Sequence, residues 1–219
     1  MLIEMPNWCQ NVLIISGSTK DLSDFKDKST DGNFALKNYY PMPKSLEGTR
    51  APAPESPDMH EKAIEWLNDP DNEIWTQEYY DEQVIEKRKQ YEQAVLAKKE
   101  TGYTCWYDWN VSNWGTKWDV GDENGPKMEI TGPKWWKNRP VWNRKEEIIR
   151  LTFDSAWAPP SEGILKISGD YPSLTFILKY AEAGMGYAGT EVYSQGKLTQ
   201  SEDGNCDEYL ESEDFGEYY

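Results

Sequence analysis

Asn113, Trp114, Thr116, Lys117, Trp118 and Asp119 stand in one short polar run, NWGTKWD, and Asp154 and Trp157 stand together in FDSAWAPP. Indoles offer flat faces to rings and cations, and the neighbouring amide, hydroxyl, ammonium and carboxylate groups offer directed hydrogen bonds. Together they have the chemistry of a small pocket for a flat ligand, or of a patch for a partner. The competing reading is architectural. A buried indole needs a partner for its N–H, which an adjacent Asn or Thr can supply, and Gly115 permits a tight turn where a side chain would clash. On that reading NWGTKW is a corner pinned by Trp114 and Trp118, with Trp157 receiving it. The corner is the preferred expectation and the binding site its rival. Asp108, Asp119 and Asp154 are the carboxylates embedded in aromatic sequence, where burial would raise a pKa.

A second constellation lies in PKWWKNRPVWNRK. It has Lys134, Lys137, Arg139, Arg144 and Lys145, no acid, and Trp135, Trp136 and Trp142. Cations interleaved with rings suit single-stranded nucleic acid, which is held by stacking and phosphate neutralisation. A formal charge of -16 opposes that approach at long range, so nucleic acid is not the expected partner. GMGYAG (184–189) matches GxGxxG, but it follows a strand and precedes strand-like TEVYSQGK, so its glycines are expected in a turn. His60 is the only histidine, and Cys9, Cys105 and Cys206 are scattered. No triad, disulfide framework or metal set follows from them, and no catalytic residue or cofactor is expected.

The elements that must position these residues are legible in part. QNVLIISG reads as a buried central strand ended by Gly17. Ser18 or Thr19 caps a helix carrying Leu22 and Phe25 on one face. NFALKNYYPMP reads as extended chain, and LEGTRAPAPESP as a loop. A short helix is expected within 58–75. A long one is expected from a cap at Thr76 to a stop at Gly102, with Tyr80, Val84, Tyr91 and Val95 as its apolar stripe. EEIIRLTFDSAWAPP and SLTFILKYAEAG read as strands flanking a helix begun at Ser161, and TEVYSQGKLTQ as a hairpin. Low hydrophobic content (37%) with 11 Trp, 14 Tyr and 5 Phe predicts a core of large rings. The final SEDGNCDEYLESEDFGEYY carries eight carboxylates and no base. That is -8 of the total -16, leaving -8 for residues 1–200. It reads as a solvated tail over 201–219 whose deletion leaves stability unchanged, with a docking arm for a basic partner as the alternative. The expected architecture is α+β. It is a split β-α-β sheet in one domain over 1–200, with a helical, Trp-rich insertion at about 46–142.

PNWCQNVLIISG, YYPMP, NWGTKWD, FDSAWAPP and YPSLTFILKYAEAG occur in the order found in the YubB-like proteins of phages and plasmids, which the chain resembles over about a third of its length. The resemblance implies a ferredoxin-like fold and a mobile-element origin, with no activity to carry over. The expected function is that of an accessory protein that binds and modulates a host protein, one involved in anti-phage defence, in the host cytoplasm. A small-ligand, nucleotide-sequestering protein using the Trp-rich region is the second reading, and a single-stranded nucleic-acid binder through 133–145 the third. No apolar run approaches the ~20 residues that cross a bilayer.

Overall fold

The computed structural model describes residues 7–29, 34–57, 77–120, 129–130, 148–212 and 214–215. Contacts divide the chain into two units, Met1–Pro41 with Asn110–Tyr219, and Met42–Trp109.

The first unit is built on a six-stranded antiparallel sheet. Its strands are β1 (Trp8–Gly17), β2 (Glu129–Ile130), β3 (Ile148–Ala156), β4 (Leu174–Glu182), β5 (Tyr187–Ser194) and β6 (Lys197–Gly204), in the order β2-β3-β1-β4-β5-β6. The first four strands have the ferredoxin-like arrangement, in which β3 separates β2 from β1 and β1 separates β3 from β4. Helix α1 (Thr19–Lys28) leaves β1, capped by Ser18, whose hydroxyl accepts from Asp21 N at 3.2 Å. Helix α5 (Ser161–Asp170) joins β3 to β4 directly after two prolines.

β1 is an unbroken apolar run because both of its faces are covered. Leu13 lies opposite Leu151 and Leu178 in register, on the face that α1 and α5 cover. There Phe25 stacks on Tyr39 at 4.7 Å and meets Tyr171 and Phe176 edge-on at 5.6 and 5.9 Å, while Phe34 reaches Phe153 at 5.7 Å. The core of rings expected from composition is this cluster, extended by the aliphatics of β1, β3 and β4.

The other face carries the largest departure from expectation. Residues 201–204 belong to β6, Cys206–Leu210 form a helix, α6, and Phe215 is 1% exposed. Phe215 and Cys206 pack with Val12, Ala181 and Ala188, flanked by Ile14, Tyr209 and Leu210. Asp214 bridges Lys179 at 2.5 Å and Arg150 at 3.6 Å, and Tyr209 and Thr190 share a hydroxyl hydrogen bond at 2.7 Å. The solvated-tail expectation is corrected here. The segment has too few apolar residues to fold alone, but it closes over a sheet face already built. Asn205 opens its helix by accepting from Asp207 N and Glu208 N.

NFALKNYYPMP, expected as extended chain, contains helix α2 (Leu36–Tyr39). The cause is a distant cap: Asp119 accepts from Leu36 N at 2.7 Å and Lys37 N at 3.2 Å.

Among its described residues the second unit contains a 3-10 turn (Lys44–Leu46), the long helix α3 (Gln77–Thr101) and the first half of α4 (Trp106–Trp114). Gly102 stops α3 with φ +85°. The buried stripe differs from expectation. Ala94 and Ala97 are buried while Val95 is 47% exposed, because small side chains let the helix pack close to the turn at Leu46. Thr49 fixes the other side of this unit, donating to Leu46 O at 2.7 Å and accepting from Trp106 N at 2.9 Å. The short helix expected within 58–75, with His60, lies outside the described residues, as do the cap at Thr76 and the placement of Tyr80 within the stripe.

Candidate functional site

The NWGTKW run divides into an inner and an outer half. Inside, Trp114 is 4% exposed and donates its indole N–H to Tyr40 O at 2.9 Å. Asn113 is buried and accepts from Lys166 Nζ at 2.6 Å. Gly115 turns the chain at φ +86°, and a Cβ there would lie 3.1 Å from Pro159 O and Ser161 N. Thr116 is buried and donates to Ala156 O at 2.9 Å. Asp119 is occupied by its cap on α2. These five positions are architecture.

Outside, Lys117 and Trp118 meet Trp157 and Trp8, at the end of the sheet where β1 begins and β3 ends. Lys117 Nζ sits 4.6 Å from the Trp118 ring centre and 5.8 Å from that of Trp157. Trp8 and Trp118 lie 6.1 Å apart. All three rings are exposed, at 49% (Trp8), 36% (Trp118) and 48% (Trp157). Among the described residues Lys117 has no carboxylate partner, in a chain with 39 acids. Its ammonium is held by indole faces instead.

Trp157 adopts φ +76°, a conformation that a bulky side chain avoids. Three segments hold it there. Trp157 N donates to Asn7 O at 2.9 Å, Tyr187 OH donates to Trp157 O at 2.7 Å, and Lys117 N joins Thr116 in donating to Ala156 O, at 3.3 Å. The peptide before the indole and the carbonyl after it are both tied down. Such a conformation costs on the order of 1–3 kcal/mol and persists only where the surrounding structure holds it. Beside Trp157 the β4–β5 turn holds the first half of GMGYAG, Gly184 to Gly186, and Tyr187 to Gly189 already belong to β5. Gly184 N and Met185 N donate to Glu182, a carboxylate buried to 2%, at 2.7 and 2.6 Å. Gly184 and Gly186 serve the hairpin turn, as expected, while Gly189 lies in β5, where a Cβ would meet the Tyr180 hydroxyl.

Around the base of this end, burial pushes the Cys9 thiol up to about 12, and it also raises the Tyr187 phenol. Both stay protonated, which suits support and not nucleophilic chemistry. Asp154 lies opposite Gln10 on the sheet face that begins at Trp8, and partial desolvation holds its carboxyl above the usual range. Its charged form is therefore disfavoured in the fold. Stability contributed by this group is full below the ordinary value of 3.8 and lost as pH rises through the raised folded-state value. Asp154→Asn is expected to raise the melting temperature at pH 7, and the gain is expected to vanish below pH 3.8; melts at the two pH values check it.

Lys134, Trp135, Trp136, Lys137, Arg139, Trp142, Arg144 and Lys145 lie outside the described residues. Of the first set, the structure brings together Lys117, Trp118 and Trp157, sets Asp154 on the sheet beside them and takes Asn113, Trp114, Thr116 and Asp119 into the interior. Trp8, the fourth member of the cluster, lies outside both sequence constellations. Its signal is the PNWCQN stretch, where a ring directly precedes a buried strand.

Residues 136–219 match a family described as the ferredoxin-like domain in Api92-like protein. The crystal structure of a protein api92 from Yersinia pseudotuberculosis is similar over 92% of this chain and 99% of that chain, with 13% sequence identity and a TM-score of 0.47. No curated protein matches. Among the described residues no helix is long and apolar enough to cross a membrane.

Proposed function

We propose that this protein is a binding protein whose contact surface is the indole cluster Trp8, Trp118 and Trp157 around Lys117. Its partner in this reading is a host protein, and its role is that of a phage or plasmid accessory protein acting on host defence, in the host cytoplasm. The observation that carries the reading is Trp157, held at positive φ by three chain segments while its ring stays half exposed. Tryptophan dominates binding hot spots because it buries a large rigid area with little loss of side-chain freedom. Three such rings clustered on a fixed sheet end form a preorganised patch. The acidic remainder of the chain supports a partner with a basic surround.

The test uses Trp157→Gly. Glycine tolerates φ +76°, so the variant is expected to melt close to wild type. Wild-type protein immobilised in host lysate is expected to retain a protein that Trp157→Gly and Trp118→Ala both lose. Retention of the same proteins by the folded variants would sink the proposal. A specific observation favours the second reading, a flat anionic ligand such as a nucleotide: Lys117 lies between two indoles and carries no carboxylate among the described residues. Lys117→Ala separates the two, since a co-purifying nucleotide lost from this variant alone would favour the ligand.

A further inference from the structure

The sheet has β2, described at Glu129–Ile130, at one edge and β6, eight residues long, at the other. From Lys197 to Asp203 every side chain of β6 is exposed, on both faces of the sheet. A strand normally holds its register by burying one face, and β6 buries neither. It is tied to β5 by the backbone ladder and by Thr199 Oγ1 donating to Val192 O at 3.0 Å. Among the described residues its outer edge has no neighbour in the sheet order. A bulge between Val192 and Tyr193 distorts the end near Lys197, leaving Gln200–Gly204 as the regular part. Long exposed edges of this kind add strands unless they are protected, and the common protection is basic residues, twist or cover.

Here the charge has the opposite sign and a definite placement. Glu202 pairs with Thr190 and Asp203 with Gly189, so the two carboxylates project from opposite faces. Asp207, Glu208 and Glu211 follow, and no Lys or Arg occurs after Lys197. A second copy of the chain would bring like charges together and add its own -16, which disfavours self-pairing. We propose that β6 accepts an extended segment of a basic partner as a seventh strand, with two adjacent Lys or Arg residues, one reaching Glu202 and the other Asp203. Main-chain hydrogen bonds would supply the affinity and the two carboxylates the selection, as in other strand additions. This surface is independent of the indole cluster.

The probe is an eight-residue peptide with two adjacent lysines flanked by Thr-Val pairs, tested on the full chain at low ionic strength by fluorescence anisotropy and amide hydrogen exchange. A second peptide keeps the charges but carries N-methyl groups at alternate amides, which blocks pairing. The first peptide is expected to bind and to slow exchange at Gln200–Gly204, and the methylated one to bind at least about tenfold more weakly. Glu202→Gln with Asp203→Asn, both exposed, is expected to leave folding intact, weaken binding several-fold and flatten its salt dependence. Equal binding of both peptides would mean charge attraction without strand addition and would overturn the proposal. So would absence of binding, protection elsewhere, or protection of the same amides by self-association without peptide.

Discussion

Phe215→Ala is expected to destabilise the protein by about 3–5 kcal/mol, which for a chain of this size lowers the melting temperature by roughly 6–20 °C. Phe215 is 1% exposed and lies in the cluster of Val12, Ala181, Ala188 and Cys206, so its removal leaves a cavity against the middle of the sheet. Truncation after Gly204 is expected to cost more. It uncovers Val12, Ala181 and Ala188 and removes the Asp214 carboxylate from Arg150 and Lys179. The ion pairs are a minor part of the loss, since Lys179 and Asp214 keep about a third of their side-chain surface in water. Urea denaturation separates the contributions, because Asp214→Asn is expected to lose about 1 kcal/mol or less where Phe215→Ala loses several. A Phe215→Ala midpoint equal to wild type would show that the segment does not cover the sheet.

The second large effect falls on one of the three tryptophans first grouped at the corner. Trp114→Ala is expected to cost about 3–5 kcal/mol, because its ring is 4% exposed and its N–H is bonded to Tyr40 O. Trp118→Ala is expected to cost about 1 kcal/mol or less, as a ring 36% exposed on the molecular surface. Denaturant titration of the two variants side by side checks this. Equal losses would mean that Trp118 is structural, and the indole cluster would no longer stand as a surface.

The sequence was informative where local pattern and tertiary role coincide. The β1 run, the α1 cap, the helix after Pro159 and Pro160, and the turn at Gly184 and Gly186 each carry their cause within a few residues. The misses arose where the cause lies far along the chain. Helix α2 depends on Asp119, 83 residues beyond the Leu36 N–H it caps. The C-terminal segment depends on a sheet face made by β1, β4 and β5. The site shows both behaviours. Lys117 and Trp118 are visible together, and Trp157 is visible as a receiver, but Trp8 joins them only because its strand pairs Trp8 with Ala156.

The position of β1 at the centre of the sheet also bears on how the chain acquires its structure. β1 is made first, yet its partners are β3 and β4, and the Asn11 hydrogen bond to Phe153 closes a loop of 142 residues. During synthesis the apolar VLII segment therefore waits without its strand partners until β3 and β4 have emerged, and contacts so distant in sequence form slowly. Equilibrium stability is far less sensitive to that separation. Doubling the length of a flexible connection adds only about 0.6 kcal/mol of closure entropy. The consequence of the separation between β1 and its partners falls on folding speed and on the time VLII is open to misassociation.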